Sequence, residues 1–268
     1  MADVYADITT APPAILETLI QAMESRAADP RQKAIRDALF AAAALPLDAK
    51  VLEIGCGTGA VCRELARQAG VAAVTGLDPS PVFLARARKL AAEIPNLKFQ
   101  EGDARALPQP DATFDAVVFH TCLSHVPRPE AALAEAFRVL RPGGRLAVLE
   151  GDYATTTVAI GPEDPLQACA DAAMAALVND RWLVRRLPNE ITRAGFQLER
   201  VDSHGYLQAT EPDYMLGIAN RGADFLAGWG RIDAATAEAL KAEARGRVAA
   251  GTFFGFIGFA GVIAGKPG

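Results

Sequence analysis

The segment VLEIGCGTGAV, residues 51–61, decides the predicted fold class. It starts as an apolar run typical of a buried strand and continues into three glycines spaced G-x-G-x-G, Gly55, Gly57 and Gly59. Glycines directly after a strand permit a tight turn, and they let backbone N–H groups approach a ligand beside the start of the next helix. The segment therefore predicts an α/β protein that binds a phosphate-like or carboxylate-bearing ligand at its first strand-to-helix turn.

Outward from this segment, short β-branched and apolar runs alternate with helical periodicity. Helices are predicted at residues 58–68 and 81–93, and a third begins at Pro129 and stops at Gly143. Predicted strands lie at residues 50–54, 72–77, 97–100, 114–119, 146–149, 197–203 and 253–264. This β-α-β order predicts a Rossmann-like, doubly wound and mainly parallel seven-stranded sheet with helical cap insertions.

The helical segments that such a sheet does not need are expected to form a cap. We predict one domain over residues 1–268, in which 46–151 is the cofactor-binding core and 152–268 is the second half of the sheet. The cap is assigned to an N-terminal part, 1–45, with helices at 14–27 and 31–44, and to two insertions, 152–180 and 206–250, the second with two helices. Ligands of open α/β sheets bind beyond the carboxyl ends of the strands. These segments are therefore expected either to roof that crevice or to serve only as packing.

The composition narrows the classes of partner. The net charge is -5, which argues against a nucleic-acid backbone as partner, because neutralising phosphates takes clustered Lys and Arg. Four cysteines without C-x-x-C spacing and only three histidines predict reduced thiols, a cytoplasmic protein and no metal site. The start has no secretory pattern, and the apolar run at 253–265 is shorter than the roughly 20 residues of a membrane span. Nothing in the composition indicates an oligomeric state.

Two cofactors fit the glycine loop taken alone. Gly55, Gly57 and Ala60 match the dinucleotide fingerprint, and Asp78 lies near the spacing of its ribose-binding acid. Glu53, two residues before Gly55, is an acid that this fingerprint does not require, and it could hold a ligand ammonium. The loop therefore leaves a nicotinamide cofactor open, while Glu53 favours a ligand that carries an amine.

Further ordered motifs break this tie. Asp103 follows the third strand, where its carboxylate could accept from an adenine amino group. Together, LEIGCGTG, GLDPS, EGDARALP, FDAVVFHTCLSHV and RVLRPGGRL resemble the motifs of class I S-adenosylmethionine-dependent methyltransferases. The nearest group is the type 11, ubiquinone-methyltransferase-like set. The resemblance covers roughly residues 48–150, and it implies a Rossmann-like fold and S-adenosylmethionine as cofactor.

The resemblance also implies which residues surround the methionine and ribose parts of this cofactor. Asp78 would accept from both ribose hydroxyls; the alternative is an acid that only caps the helix after it. Around the methionine part the resemblance places Glu53, Gly55, Cys56 and Gly57.

The adenine end is implied in the same way. Pro79 and Ala104 would flank the ring, and Asp103 would meet its amino group, unless Asp103 is only a turn acid. His120, at the end of the fourth strand, would lie beside the cofactor.

The residues of the reaction are predicted from their positions at strand ends. Methyl transfer is an in-line displacement, so a general base is needed only when the nucleophile arrives protonated. His125 and Asp152 are the predicted catalytic residues, and a bracing role in its loop is the alternative for His125. The substrate wall is predicted to include Tyr153, Trp182 and Tyr206, with core packing or a solvated helix face as the alternative.

These expectations combine into one predicted function and two rivals. The chain is predicted to transfer a methyl group from S-adenosylmethionine to an O, N or C nucleophile of a small organic molecule, such as a quinone-like or secondary-metabolite precursor. One rival is an NAD-dependent oxidoreductase on a Rossmann fold. The other is a noncatalytic S-adenosylmethionine-binding module.

Overall fold

The computed structural model describes residues 8–268, except for the side chain of Ala14, and it contains one seven-stranded sheet. The strand order is β3-β2-β1-β4-β5-β7-β6; β7 is antiparallel to both β5 and β6, and the other neighbours are parallel. The strands are β1 (Ala49–Ile54), β2 (Val71–Asp78), β3 (Leu97–Glu101), β4 (Phe114–His120), β5 (Leu140–Thr157), β6 (Gln197–Gln208) and β7 (Gly255–Gly265). The predicted mainly parallel, Rossmann-like fold is confirmed.

The described helices include those predicted at residues 14–27, 31–44, 58–68 and 81–93 and the one predicted from Pro129. They are α1 (Pro13–Ala28), α2 (Pro30–Ala43), α3 (Ala60–Leu65), α4 (Pro81–Leu90), α5 (Pro129–Val139), α6 (Pro165–Leu177), α7 (Leu187–Arg193), α8 (Asp213–Gly228) and α9 (Ala234–Ala249). Local chemistry sets several of their starts: the Asp29 carboxylate accepts from the first N–H groups of α2, and Ser80 accepts from Phe83 in α4. The N-terminal pair and the pair within residues 206–250 form as the periodicity indicated.

The sheet is covered by helices on both faces. Leu39 of α2 and Leu65 of α3 belong to the core of one face, and Leu133 of α5 and Ile191 of α7 belong to the core of the other. Helices α6 and α8 pack on each other, α6 against β5 and α8 against β7, and α9 packs on α8. Among the helices of residues 8–268, none combines the length and apolarity that a bilayer crossing requires.

Two strands extend well beyond their predicted ends. β5 ends at Thr157 rather than at residue 149, and it takes up the start of the segment that was predicted as an insertion, 152–180. β6 likewise continues to Gln208. The reason is tertiary: β7 pairs antiparallel with both strands over these extensions, and such long-range pairing leaves no local signal in the sequence.

The topology fixes where a ligand can bind. From β1 the chain moves outward to β2 and β3 and then returns to β4 on the other side of β1. In doubly wound sheets, the crevice at such a reversal, beyond the carboxyl ends of the strands, is the ligand site. The glycine loop after β1 and the loop after β4 border this crevice.

Candidate cofactor and acceptor site

The glycine loop after β1 has a backbone that only glycine adopts without strain. Gly55, Gly57 and Gly59 have φ values of +73°, +53° and +73°. A Cβ atom at Gly55 would overlap Cys122 of the loop after β4, and one at Gly57 would lie 2.6 Å from the Met23 Sδ of α1. The loop therefore packs closely against α1 and the loop after β4, and a side chain at Gly55 or Gly57 would clash with them.

A cavity of about 200 Å³ lies against this loop at the carboxyl ends of β1, β2 and β4. Its wall includes every residue that the sequence predicted for the cofactor: Glu53, Gly55, Cys56, Gly57, Asp78, Pro79, Asp103, Ala104 and His120. The structure thus brings all nine predicted positions together around one space. Their part in binding stays a prediction.

Asp78, at the end of β2, connects two elements of the wall. One carboxylate oxygen accepts from the Gly57 N–H at 2.8 Å, and the other accepts from the Ser80 N–H at 2.9 Å. Burial raises the pKa of Asp78 to about 6, although both N–H groups favour the ionised form. Each oxygen retains a lone pair. Asp78 can therefore hold the loop and still accept from ligand hydroxyls.

Glu53 is the second buried acid, with 2% of its surface exposed. Its Oε2 accepts from the Cys62 thiol at 2.8 Å. Burial raises the pKa of Glu53 to about 8, so the carboxyl group is mostly protonated at neutral pH when no cation lies beside it. A ligand ammonium would favour its ionised form, as expected of an amine-binding acid.

Asp103 has a partner that the sequence analysis did not identify. Its carboxylate accepts from the Arg105 guanidinium through both oxygens, at 2.9 and 2.6 Å, and also from the Arg105 backbone N–H. The bonds from Arg105 lower the pKa of Asp103, so the acid is ionised. Arg105 also lines the cavity. An adenine amino group at this edge would have to share the carboxylate with Arg105.

His120 lines the larger cavity and carries a polar atom without a partner among residues 8–268. The side chain is buried, and its Nε2 has no hydrogen-bond partner among the described residues. Burial lowers the pKa of His120 well below its ordinary value, and the charges of Arg26 and Arg36 lower it further. The imidazole is therefore neutral, and its Nε2 can donate or accept one hydrogen bond, depending on the tautomer.

A smaller cavity of about 50 Å³ adjoins the first and shares Met23, Arg26 and His125 with it. Its remaining wall comes from α1, α6, α8 and β5. Tyr153 of β5 lines it, and the ring centroids of Tyr153 and His125 are 6.1 Å apart. The predicted cap segments thus contribute to the site through α1, α6 and α8, whereas the lining residues include none from α9.

Glu150 accepts hydrogen bonds from the backbone of the loop that carries His125. The Glu150 Oε2 accepts from the backbone N–H groups of Cys122 and Ser124, at 3.1 and 3.3 Å. Burial raises the pKa of Glu150, and the nearby His125 opposes that rise. Glu150 therefore fixes the position of the loop.

Three predicted residues lie away from both cavity walls. Asp152 precedes Tyr153 in β5, and neighbouring strand residues point to opposite faces, so its carboxylate pairs with Arg185 instead. Trp182 is 46% exposed, with the Arg185 guanidinium 4.3 Å from its ring centroid. Tyr206 is fully buried and donates to Asp29 at 2.7 Å. Side-chain direction and local partners account for all three placements.

Other wall residues were missed by the sequence analysis. Met23 and Arg26 come from α1, and Arg26 donates to Thr121 at 2.8 Å. No motif marks them, because α1 reaches the site by tertiary packing.

Within residues 8–268, no three His, Cys, Asp or Glu side chains are grouped as a metal site would require.

Comparisons with known proteins agree on the class of the central segment. Residues 52–148 match a family described as "Methyltransferase domain". The chain is 44% identical over 104 residues to a ubiquinone/menaquinone biosynthesis C-methyltransferase of Roseobacter denitrificans, covering 38% of this chain and 42% of that protein. It is 43% identical over 112 residues to a demethylmenaquinone methyltransferase of Tropheryma whipplei, covering 41% and 45%. The matches span less than half of either relative.

The fold itself is shared over a longer stretch. A crystal structure of a candidate methyltransferase from Bacillus halodurans C-125 superimposes with a TM-score of 0.63, covering 87% of this chain and 98% of the other. The sequence identity is 20%, so this likeness concerns the fold alone.

Proposed function

We propose, from the match of residues 52–148 to a methyltransferase domain, that the chain is a class I S-adenosylmethionine-dependent methyltransferase. The proposed reaction transfers a methyl group from S-adenosylmethionine to an oxygen, nitrogen or carbon atom of a small organic molecule. One observation carries the proposal. The nine residues that the motifs assign to the cofactor lie on the wall of a single cavity at the reversal point of the sheet. The acceptor would enter from the side of the smaller cavity.

The chemistry of the wall fits this cofactor part by part. Glu53 offers a buried carboxyl group to the ammonium of the methionine moiety, and Asp78 offers free lone pairs to the ribose hydroxyls. Gly57 lines the cavity, and the absence of a side chain lets a ligand approach its backbone. The unpartnered Nε2 of His120 supplies one more polar contact.

The proposed reaction asks little covalent chemistry of the protein. The bound cofactor supplies an electrophilic methyl group on a sulfonium. The residues that line the two cavities would hold the acceptor atom in line with that methyl group. When the acceptor arrives protonated, His125 is the proposed base that takes its proton, since it lines both cavities. Tyr153 and the helices above it would orient the acceptor and exclude water.

A quinone-like or other hydroxylated aromatic precursor is the acceptor class that the relatives favour, because the Roseobacter and Tropheryma proteins are named for quinone methylation. The apolar wall of the smaller cavity is compatible with such a ring. We also propose a cytoplasmic location, which four unpaired cysteines favour.

The two rivals make different demands on the cavity. A nicotinamide cofactor would use the glycine loop and Asp78 but has no amine for Glu53. A noncatalytic binding module would use the same cofactor contacts without needing the second cavity beside His125. Neither rival accounts for both features, so methyl transfer is the proposal that we retain.

Thermal unfolding with ligands tests the cofactor, and transfer of a labelled methyl group tests the activity. S-adenosylmethionine or S-adenosylhomocysteine should raise the Tm, and NAD should not. Labelled S-adenosylmethionine should then label at least one compound in a panel of small metabolites. Stabilisation by NAD alone would support the oxidoreductase. Stabilisation by S-adenosylhomocysteine without any labelled product, across a broad panel, would favour the binding module.

A further inference from the structure

The smaller cavity joins an apolar wall to two guanidinium groups. Leu19 of α1, Leu177 of α6 and Ile218 of α8 are among its apolar lining residues. Arg26 and Arg221 are its arginines, and no carboxylate occurs among the described residues that line it. An apolar wall favours an apolar ligand body, and a guanidinium group on that wall favours a ligand with a negative charge.

Arg221 shows an unmet hydrogen-bonding capacity. Its Nε is buried and has no hydrogen-bond partner in the described part of the chain. A buried donor without an acceptor is costly, the more so on a charged group, and native proteins rarely retain one without a reason. A ligand oxygen placed against Nε and the neighbouring Nη would satisfy it, in the two-point geometry by which arginine binds carboxylates.

The position of Arg221 in the cavity gives the ligand a direction. Arg221 lines only the smaller cavity, whereas His125 and Arg26 line both. A ligand whose charged end meets Arg221 therefore has its body in the smaller cavity and its other end at the shared edge beside His125. That edge faces the space assigned to the cofactor.

We propose that the smaller cavity is the acceptor site and that it selects acceptors in which an apolar body carries a carboxylate, with Arg221 as the receptor for the carboxylate. This inference rests on the proposed methyltransferase function, since it takes the larger cavity as the cofactor site. It adds a specificity residue outside the matched segment, 52–148. Arg26, which also donates to Thr121, supplies a second positive charge at the shared edge.

Paired probes test the proposal by calorimetry on the full chain saturated with S-adenosylhomocysteine. The probes are hexanoate, benzoate and 2-naphthoate, each compared with its primary amide, which has nearly the same shape without the charge. At least one carboxylate should bind about tenfold or more tightly than its amide, as a hydrogen bond to a charged partner provides. Arg221→Gln should bring this ratio close to one, and Arg221→Lys should retain part of it, because it keeps the charge without the fork.

A matched control and two further measurements keep the outcome interpretable. Arg193→Gln, which removes an exposed arginine of α7, should leave the ratio unchanged. Unliganded Arg221→Gln protein should be no less stable than wild type if the Nε serves a ligand, whereas a structural arginine would lose stability. Equal binding of acids and amides, no binding of any probe, or a preference that survives Arg221→Gln would overturn the proposal. Failure of S-adenosylhomocysteine itself to bind would instead bring down the proposed function, and this inference with it.

Discussion

The thiol of Cys62 lies 2.8 Å from Oε2 of Glu53, and both side chains are buried beside the glycine loop. Burial raises the pKa of both groups, to about 8 for Glu53 and well above the ordinary value for Cys62. The pair therefore exists mainly as a neutral carboxyl and a neutral thiol in the unliganded protein at pH 7. A ligand cation is what would make the ionised carboxylate favourable at this position.

The first prediction concerns stability against pH in the variant Glu53→Gln. The unfolded chain ionises Glu53 above about pH 4.5, whereas the folded chain keeps the proton until about pH 8. The folded state thus binds more protons between these values, and Glu53 lowers the free energy of unfolding as pH rises, by up to about 1.4 kcal/mol per unit. Glu53→Gln should remove this loss, so the difference in stability between variant and wild type should grow from pH 5 to pH 8.

Urea unfolding at several pH values measures this difference. Glu93→Gln, at an exposed position, is the control and should show no such trend. A constant difference between Glu53→Gln and wild type would mean that Glu53 titrates as an ordinary surface acid and that burial does not control it.

The second prediction concerns Asp78→Ala. Its carboxylate is expected to accept from two ribose hydroxyls, and each hydrogen bond to a charged acceptor contributes about 1.5–3 kcal/mol. The variant should bind S-adenosylhomocysteine at least about tenfold more weakly by calorimetry. It should also lose stability, because the N–H groups of Gly57 and Ser80 lose their acceptor.

Asp37→Ala removes a surface acid that pairs with Lys33 and serves as the control. An unchanged affinity in folded Asp78→Ala protein would show that Asp78 only organises the loop, the helix-cap alternative.

The predicted cofactor residues could be identified from the sequence because each of them lies in a short motif at the end of a strand. Glu53, Asp78 and Asp103 each follow or end a strand in a short motif, and parallel strands bring their carboxyl ends to one edge of the sheet. Their common cavity follows from that topology alone. The hydrogen bonds from Arg105 to the Asp103 carboxylate could not be predicted from the sequence. Arg105 is two residues from Asp103, but this spacing does not show which way either side chain points.

The acceptor side was not predictable in this way. Arg26 and Arg221 lie on helices that reach the cavity only through tertiary packing, and Asp152 was placed at the site although strand alternation turns it away from Tyr153. The extensions of β5 and β6 were missed for a similar reason, because their pairing with β7 is set by distant residues. Sequence motifs therefore predicted the nine proposed cofactor residues, which line the larger cavity, whereas tertiary packing determines which residues line the smaller one.

The third prediction concerns the contact between α8 and α6. A Cβ atom at Gly222 would overlap the backbone carbonyl of Cys169, and backbone cannot move aside cheaply. Gly222→Ala should therefore destabilise the protein by more than about 2 kcal/mol, as overpacking does. Gly228→Ala, in the same helix but with open space around it, should be neutral or stabilising by up to about 1 kcal/mol.

Chemical denaturation of both variants measures the contrast. Similar stabilities for the two variants would mean that α6 and α8 are not packed closely, and therefore that their part of the smaller cavity's wall is not rigid.

The last prediction concerns His125, which lines both cavities and lies beside the Tyr153 ring. If it removes a proton from the acceptor during transfer, His125→Ala should lower kcat by roughly a hundredfold or more, the usual contribution of a general base. Affinity for S-adenosylhomocysteine should change little, because the predicted cofactor contacts lie elsewhere on the wall. His125→Asn separates the two roles: it retains a polar side chain of similar reach but cannot act as the base. Loss of turnover in both variants implicates proton transfer, whereas near-full turnover in the Asn variant assigns His125 to positioning the loop that Glu150 holds. Full turnover of His125→Ala across the pH range would leave the acceptor to lose its proton to water, and the reaction would then depend on alignment alone.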